Sequence, residues 1–324
     1  MLGALLAVLS AASFAATNAA ARRGVVTGTP AQGMVLTNPV GVICFSVVAI
    51  AAGELTRLGE FPLPAAAWMA GVGVLHFIGG RYANFRANQS AGTNLTAPVI
   101  QLNSVVTLVL AVVLLGEPCT VLQVIGGITM ISGALVAQRQ VPVSISAGPL
   151  RFSPRKAEGF LFAVFAALAY GTTPIMTRTA LQSAGPAGAI IGGLIAYGAA
   201  TVVVVIMLLS SAVLLRRNLM LLKRESVRWF VYSGVFVAVA QGFLYSAVSV
   251  APIMLVMPLL QLSLVFRLFF SAWLNPEHEV FGPRVIVGCV ISLAGASTVA
   301  IDTDIILHAL AIPHEVARAL AWRI

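Results

Sequence analysis

The chain repeats one of its own segments 160 residues later. Residues 98–117 read P-V-I-Q-L-N-S-V-V-T-L-V-L-A-V-V-L-L-G-E, and residues 258–277 read P-L-L-Q-L-S-L-V-F-R-L-F-F-S-A-W-L-N-P-E. The copies align without a gap and share the pairs Pro98/Pro258, Gln101/Gln261, Leu102/Leu262, Val105/Val265, Leu108/Leu268, Leu114/Leu274 and Glu117/Glu277. Matches at proline and glutamine indicate an internal duplication. A duplication constrains the fold before any helix is located, because each half must form the same unit.

The composition places the chain in a lipid bilayer. Hydrophobic residues make up 59% and charged residues 9% of the sequence, whereas a soluble domain carries about 25% charged residues. The net charge of +9 is spread over short loops and forms no basic stripe, so we expect no nucleic-acid partner. Cys44, Cys119 and Cys289 lie singly in apolar runs, which gives neither a disulfide framework nor a metal-binding spacing.

Apolar segments of about 20 residues, the length that crosses a bilayer core, occur five times in each half. They lack the alternation of barrel strands and predict an all-α integral membrane protein. The ten predicted transmembrane helices are 1–21, 34–53, 64–84, 93–115, 119–138, 158–178, 187–210, 228–248, 250–274 and 283–301. The predicted domains are a first five-helix repeat (1–140), a linker (141–157), a second five-helix repeat (158–301) and a C-terminal tail (302–324).

The first twenty residues also resemble a secretory signal peptide. No Lys or Arg precedes their apolar core, however, and they match the segment from Gly159 at an offset of 156, as in Thr17/Thr173 and Arg22/Arg178. We therefore expect a retained first helix, with a cleaved signal peptide as the alternative.

An odd number of helices per repeat makes the second repeat enter the membrane from the opposite side. Inverted repeats are typical of secondary transporters, which bind substrate near the midplane and expose it alternately to each side. Loops after the odd-numbered helices hold most Lys and Arg residues, with Arg22, Arg23, Arg81 and Arg86 counted among them. This charge bias predicts that both termini lie outside.

Residues 114–137 read L-L-G-E-P-C-T-V-L-Q-V-I-G-G-I-T-M-I-S-G-A-L-V-A, with a Gly-Glu that closes one helix and Gly126 and Gly133 in the next. The pattern resembles the signature of the drug/metabolite transporter superfamily, EamA type, and the resemblance covers roughly residues 1–301. The second copy departs from it, because N-P-E-H-E at 275–279 replaces the Gly-Glu and two residues are inserted before Gly288 and Gly295. The resemblance implies a carrier for small metabolites, amino acids or drugs, and for some relatives it implies termini inside.

The glycines and glutamates of this signature are expected to serve the scaffold. Glycines seven apart share a helix face and let neighbouring backbones approach closely. Glu117 and Glu277 follow their helices, where a carboxylate can stay hydrated as a cap or loop residue. No Asp lies within a predicted helix and the Glu residues lie at helix edges, so no buried-carboxylate proton relay of the common kind is expected.

Polar side chains inside the predicted helices are the candidates for a substrate pathway, because they are costly in lipid unless they face a cavity or each other. Arg267 lies in the ninth helix. Arg81 lies near the end of the third, and Gln241 is its repeat equivalent. Snorkelling or a structural ion pair is the alternative role for Arg267. The excess of arginine over acid favours a substrate with a carboxylate or phosphate.

Prolines that bend helices, together with polar and aromatic residues, complete the candidate set. Pro98, Pro258 and Pro174 are expected to bend their helices and expose carbonyl groups. The other candidates, which offer hydrogen bonds, aromatic stacking or a titratable ring, are Gln101, Gln261, Asn103, Thr17, Thr173, Tyr170, Tyr245 and His76. An interhelical hydrogen bond or packing is the alternative role for each of them.

These observations predict a secondary transporter of a small polar or amphipathic metabolite, with export as the expected direction and the bacterial inner (plasma) membrane as the location. A lipid-intermediate flippase and a non-transporting accessory membrane protein are the alternatives on the same fold. We expect no enzymatic activity, cofactor or metal, because the sequence lacks paired carboxylates, a nucleophile with its base, clustered histidines and a phosphate loop. The expected partners are a small-molecule substrate and the bilayer, with a homodimer left open.

Overall fold

The helices account for almost all of the structure, a computed structural model that describes residues 2–116, 119–138, 153–184, 188–210, 213, 220, 222–250, 259–301, 303–309 and 313–322. This part of the chain contains no strand, as expected for an all-α membrane protein. Large apolar side chains such as Leu63, Val113 and Phe269 are exposed on the outside of the bundle. An apolar exterior of this extent fits a protein surrounded by lipid.

The helix bounds extend the predicted spans at several ends. The helices are α1 (Leu2–Thr27), α2 (Pro30–Ala51), α3 (Leu63–Val72), α4 (Arg81–Ala91), α5 (Thr93–Ile100), α6 (Asn103–Leu115), α7 (Val121–Gln138), α8 (Lys156–Ala184), α9 (Gly188–Leu209), α10 (Arg224–Val250), α11 (Ser263–Leu274), α12 (Pro283–Ala300), α13 (Thr303–Ala309) and α14 (His314–Leu320). A short 3-10 helix, Glu54–Glu60, precedes α3, and a π-helical segment, Gly73–Gly80, joins α3 to α4.

Among the described residues, seven helical segments are long and apolar enough to cross a membrane. They are Leu2–Thr27, Pro30–Ala51, Leu63–Ala91, Thr93–Leu114, Lys156–Leu181, Gly188–Leu209 and Arg224–Leu244. Shorter apolar helices occur at three further predicted spans, Val121–Ala137, Ser263–Leu274 and Pro283–Val299. The protein is an all-helical integral membrane protein, and its division into ten spans and two inverted repeats stays a prediction.

Two turns show how the local sequence ends one helix and starts the next. Thr29 caps α2, since its hydroxyl accepts a hydrogen bond from the Gln32 N–H at 3.2 Å while the Gln32 side chain accepts one from the Thr29 N–H at 2.9 Å. Gly92 separates α4 from α5 with a φ of 85°, which glycine adopts without the steric cost that other residues carry. The Gly92 turn directs the first residues of α5 towards the loop after α11.

The helices form two groups. Helix α1 packs against α10 and α11, and these three helices are named the α1 group. Helix α8 packs against α3, α4, α5 and α6, and these five helices are named the α8 group. Hydrogen bonds tie α1 to α10 along its length: the Ser10 hydroxyl donates to the Ala240 carbonyl at 2.8 Å, and the hydroxyls of Thr27 and Ser226 lie 2.8 Å apart. These contacts fix α1 and α10 to each other along their length.

Helices α7 and α12 meet through the four signature glycines. A Cβ on Gly133 would lie 2.5 Å from the Ser292 backbone nitrogen and 2.7 Å from the Gly288 carbonyl oxygen. A Cβ on Gly295 would lie 2.6 Å from the Gly126 carbonyl oxygen. The backbones therefore touch at these positions, which is the close approach predicted from the glycine spacing.

Replacing Gly133 by alanine should destabilise the α7–α12 contact, because the added methyl group meets backbone atoms that no side-chain rotation can move. Overpacking of this kind costs about 1–3 kcal/mol. Gly127→Ala is the matched control on the same helix, since a Cβ there would have Val105 methyl carbons as its nearest neighbours, at 3.7 and 3.8 Å. Thermal unfolding in detergent should show a lower midpoint for Gly133→Ala only, and equal midpoints would contradict the backbone contact.

Candidate functional site

A buried carboxylate, Glu279, joins the two helix groups at one end of the bundle. It lies in the loop between α11 and α12 and is 1% exposed. Its Oε1 accepts hydrogen bonds from the Thr93 N–H at 2.7 Å and from the Thr93 hydroxyl, and its Oε2 accepts one from the Asn94 N–H at 3.0 Å. The carboxylate caps the first turn of α5, where the helix dipole favours negative charge. Burial raises the pKa of the Glu279 carboxyl, against the opposing effects of Arg22 and these donors.

Arg22, near the end of α1, pairs with this carboxylate. Its Nε lies 3.6 Å from Glu279 Oε1. Its Nη1 donates to the carbonyl oxygens of Asn88 at 2.6 Å and Gln89 at 3.1 Å, and its Nη2 donates to the His278 carbonyl at 2.5 Å. One guanidinium therefore links α1, the end of α4 and the loop after α11. The end cluster is defined as Arg22, Glu279, Thr93 and Asn94.

The interpretation of Arg22 and Arg81 as loop cations is wrong. Arg22 is 1% exposed inside α1, and Arg81 is 4% exposed inside α4. A buried carboxylate is present as well. Glu279 lies in a loop outside the predicted helices, yet its side chain is buried. The physical reason is long-range pairing: an apolar helix retains an arginine when a loop from the other half of the chain brings it a carboxylate. Glu277, in contrast, is exposed, as expected.

A row of side-chain hydrogen bonds leads from the end cluster to the middle of the bundle. The Thr96 hydroxyl donates to Asn88 Oδ1 at 2.8 Å, and Asn88 Nδ2 donates to Asn84 Oδ1 at 3.1 Å. Asn84 Nδ2 donates to Asn18 Oδ1 at 2.9 Å, and the Asn84 side chain lies beside the Tyr170 hydroxyl. Asparagine amides both donate and accept, so a row of them can cross an apolar interior.

Two buried arginines flank Tyr170. Arg81 begins α4, Arg267 lies in α11 and is 6% exposed, and the Tyr170 side chain is within electrostatic range of both. Among the residues that the structure describes, the Nε and Nη2 atoms of Arg81 and the Nε and Nη1 atoms of Arg267 have no hydrogen-bond partner. Burial of Arg267 argues against the alternative in which it snorkels to an interface.

The π-helical segment brings His76 to the same region. Its Nδ1 lies 3.1 Å from the Thr173 hydroxyl, and its ring centroid lies 4.5 Å from that of Tyr170. Arg81 is within electrostatic range of the imidazole. π-helical insertions occur frequently at functional sites. Direct contacts join His76, Thr173 and Tyr170, and both arginines lie within electrostatic range of Tyr170. The central cluster is defined as Arg81, Arg267, Tyr170, His76 and Thr173.

The two glutamines that the duplication relates bind each other. Gln101 Nε2 donates to Gln261 Oε1, and Gln261 Nε2 donates to the Ser104 hydroxyl at 3.3 Å. Both glutamines are buried. They join the two halves of the chain at equivalent positions rather than lining a shared space with free amide groups.

Each glutamine lies at a helix break. α5 ends at Ile100 and α6 begins at Asn103, and the chain also turns at residues 261–262 before α11 begins. The turn hydrogen bonds agree between the copies: the Leu102 N–H donates to the Val99 carbonyl at 3.1 Å and the Leu262 N–H to the Leu259 carbonyl at 3.2 Å. Pro98 lies inside α5, three residues before the first break, and it lacks the N–H that would donate to the Asn94 carbonyl.

The remaining predicted residues take other positions. Thr17 is buried in α1 and its hydroxyl bonds within its own helix, while Gln241 is buried in α10. Asn103 is half-buried at the start of α6, and α8 continues through Pro174 without interruption. Pro258 and the side chain of Tyr245 lie outside the described residues.

An apolar opening lies on the outer face beside the central cluster. It has a volume of about 370 Å³ and lies between α8 and the segment that joins the π-helical residues to α4. Leu75, Tyr82, Phe162 and Phe165 are among the residues that line it. Tyr82 and Ala169, which both line the opening, are the sequence neighbours of Arg81 and Tyr170 in the central cluster.

Comparison with known proteins identifies the first half of the chain. Residues 1–138 match the EamA-like transporter family. A solved crystal structure is similar over 91% of this chain and 95% of that chain, with a TM-score of 0.58 and 16% sequence identity, which shows a shared fold. No curated protein matches the chain. Residues 1–138 are thus similar to the EamA-like transporter family, which lies within the drug/metabolite transporter superfamily of membrane transporters.

Proposed function

We propose that the protein is a secondary transporter that binds a small polar or amphipathic metabolite at the central cluster and exposes it alternately to the two sides of the membrane. The observation that carries this proposal is the cluster itself, in which Arg81 from the first half and Arg267 from the second both lie within electrostatic range of Tyr170 inside an apolar bundle. Such groups are costly in a membrane interior unless they face a ligand or a water-filled path. Export across the bacterial plasma membrane is the proposed direction and location.

The pattern of helix contacts supports two inverted five-helix repeats. The contact of α1 with α10 has its repeat counterpart in the contact of α8 with α3 and α4, and the contact of α1 with α11 has its counterpart in that of α8 with α5 and α6. Helices α7 and α12 occupy equivalent positions in the two halves, and so do α2 and α9, so each of these contacts joins a helix to its own repeat equivalent. Halves related in this way can adopt two states, each open to one side.

The end cluster closes one end of the proposed path. Arg22 and Glu279 belong to α1 and to the loop that follows α11, whereas Thr93 and Asn94 begin α5 in the α8 group. Opening this end requires the bonds between the groups to break while the bonds within each group persist. Alternation then consists of a movement of the α1 group against the α8 group, with closing contacts forming at the opposite end.

Uptake into vesicles that contain only the purified protein tests this proposal. Amino acids, organic acids, phosphate esters and cationic drugs are offered singly, and saturable uptake of at least one is expected. Arg267→Ala should abolish that uptake while the protein remains folded, and Arg57→Ala, at a side chain that is 59% exposed, should leave it unchanged. No uptake of any solute, or full uptake by Arg267→Ala, would contradict the proposal.

A lipid flippase is the second candidate function, and the lateral opening is the observation that favours it. An apolar opening on the lipid-facing side would admit a lipid chain while its polar headgroup reached the central cluster. Movement of a fluorescent lipid probe across the vesicle membrane, in the absence of uptake of any small solute, would select this function over the carrier.

A further inference from the structure

We infer that the transported ligand carries an oxyanion, a carboxylate or a phosphate, which binds between Arg81 and Arg267 with the Tyr170 hydroxyl beside it. The inference rests on the proposed function and names the ligand class of the same site. Carboxylates and phosphates share the chemistry that matters here, since both offer several oxygens to the planar array of donors on a guanidinium.

The first reason is a set of donors without acceptors. Within the described part of the chain, Arg81 leaves Nε and Nη2 unsatisfied, two adjacent donors that match a pair of oxygen atoms, and Arg267 leaves Nε and Nη1 unsatisfied. Both side chains are more than nine-tenths buried. An unsatisfied buried donor on a charged group is among the most costly features that a fold can retain.

The second reason is that nearby acids are already used. Glu279 is within electrostatic range of Arg267, but its oxygens accept the Thr93 and Asn94 N–H groups and face Arg22. Within the described ranges, the ion pairs of the protein involve neither Arg81 nor Arg267. Two cations share one apolar interior without a carboxylate between them, so an anionic ligand would supply the missing charge.

The third reason is the position of Tyr170. Asn84 is fixed by its bonds to Asn88 and Asn18 at 3.1 and 2.9 Å, and its side chain lies beside the Tyr170 hydroxyl. A tyrosine hydroxyl in this polar surrounding can donate its proton to a ligand oxygen. The site then offers two guanidinium groups and one hydroxyl from both halves of the chain, and a ligand bound there would contact both moving halves.

Ligand-dependent thermal stability of the full chain in zwitterionic detergent tests the inference. The probes are succinate, inorganic phosphate, glycerol and choline, each compared with sodium chloride at the same ionic strength. Succinate or phosphate should raise the unfolding midpoint in a concentration-dependent manner, whereas glycerol and choline should not. The succinate and phosphate arms distinguish a carboxylate ligand from a phosphate ligand.

Variants assign any shift to the two arginines. Arg81→Gln and Arg267→Gln should each weaken the anion effect about tenfold or more in concentration, the range expected for charged hydrogen bonds. Without ligand, both should unfold at or above the wild-type midpoint, because each removes a buried charge that forms no ion pair with a carboxylate of the described residues. Arg267→Lys keeps the charge but loses the planar fork, and it serves as a folded variant with reduced anion affinity. Arg57→Gln, on the surface, should respond as wild type.

An anion effect that is absent in wild type, or that persists in both glutamine variants, overturns the inference. Its failure is distinguishable from failure of the proposed function. Saturable uptake of a neutral or cationic solute that survives Arg81→Gln and Arg267→Gln would leave the carrier function intact and remove the anion site. Arginine-dependent anion binding without uptake of any solute would keep the anion site and contradict the carrier function.

Discussion

Replacing Glu279 by glutamine is expected to lower the free energy of unfolding by about 3–5 kcal/mol. The exchange keeps the side-chain volume but removes the charge opposite Arg22, which would remain as a buried cation without its carboxylate. The amide also replaces one of the two oxygens that accept the Thr93 and Asn94 N–H groups, so α5 loses part of its cap. Both effects act in the same direction at the same end of the bundle.

Glu277→Gln is the matched control for this experiment. It makes the same exchange two residues earlier in the same loop, at an exposed side chain, and should stay within about 0.5 kcal/mol of wild type. Thermal unfolding in detergent, followed by helical circular dichroism, measures all three proteins. If Glu279→Gln unfolded at the wild-type midpoint, the end cluster would not hold the two helix groups together.

The features that local sequence could predict are those that depend on short-range pattern. The apolar segments located the helices, because burial in lipid requires their length and composition. Glycines spaced by one helical face predicted a close backbone approach, which the structure places between α7 and α12, at Gly126, Gly133, Gly288 and Gly295. The apolar surroundings of Arg267 made it a candidate for the substrate pathway, and the structure buries its side chain.

The end cluster depends on contacts that local pattern does not contain. Arg22 follows an alanine-rich run and precedes a second arginine, which is also what a helix end in water looks like. The gap-free alignment of the repeat pairs Glu117 with Glu277, and Glu279 lies two residues further along the chain. One signal was present: the offset of 162 that relates Gly288 to Gly126 also relates Glu279 to Glu117, so the inserted residues shift the equivalence to Glu279.

The asparagine row was difficult to predict for a related reason. Asn84 and Asn88 are four residues apart on α4, so they share a helix face, but their partners Asn18 and Thr96 lie on other helices. Only the packing of α4 against α1 and α5 brings these amides into contact. The Gln101–Gln261 bond, in contrast, joins two positions that the duplication already relates, and its partner residues could be named from sequence although their direct contact could not.

A disulfide between the two helix groups is expected to stop transport. The hydroxyl oxygens of Thr93, which begins α5, and Ser271, in α11, lie 2.9 Å apart, a separation compatible with a disulfide between cysteines at these positions. The double variant Thr93→Cys/Ser271→Cys, with Cys44, Cys119 and Cys289 replaced by alanine, would hold the α1 group and the α8 group together at the closed end. A carrier that cannot open this end cannot complete its cycle.

The matched control places a disulfide inside one group. Thr27 and Ser226 hydroxyls lie 2.8 Å apart at the same end of the bundle, but both belong to the α1 group. Thr27→Cys/Ser226→Cys in the same background should therefore transport equally well when oxidised and when reduced. This comparison separates the effect of locking the two groups from the effect of an oxidant or of a disulfide as such.

Transport by the Thr93→Cys/Ser271→Cys protein in vesicles, measured before and after addition of dithiothreitol, tests the alternating movement of the two groups most directly. The expected result is no uptake by the oxidised protein, recovery of uptake on reduction, and no redox dependence in the Thr27→Cys/Ser226→Cys control. Equal uptake by the oxidised and reduced forms of the Thr93→Cys/Ser271→Cys protein, with the disulfide shown to be complete, would contradict the mechanism.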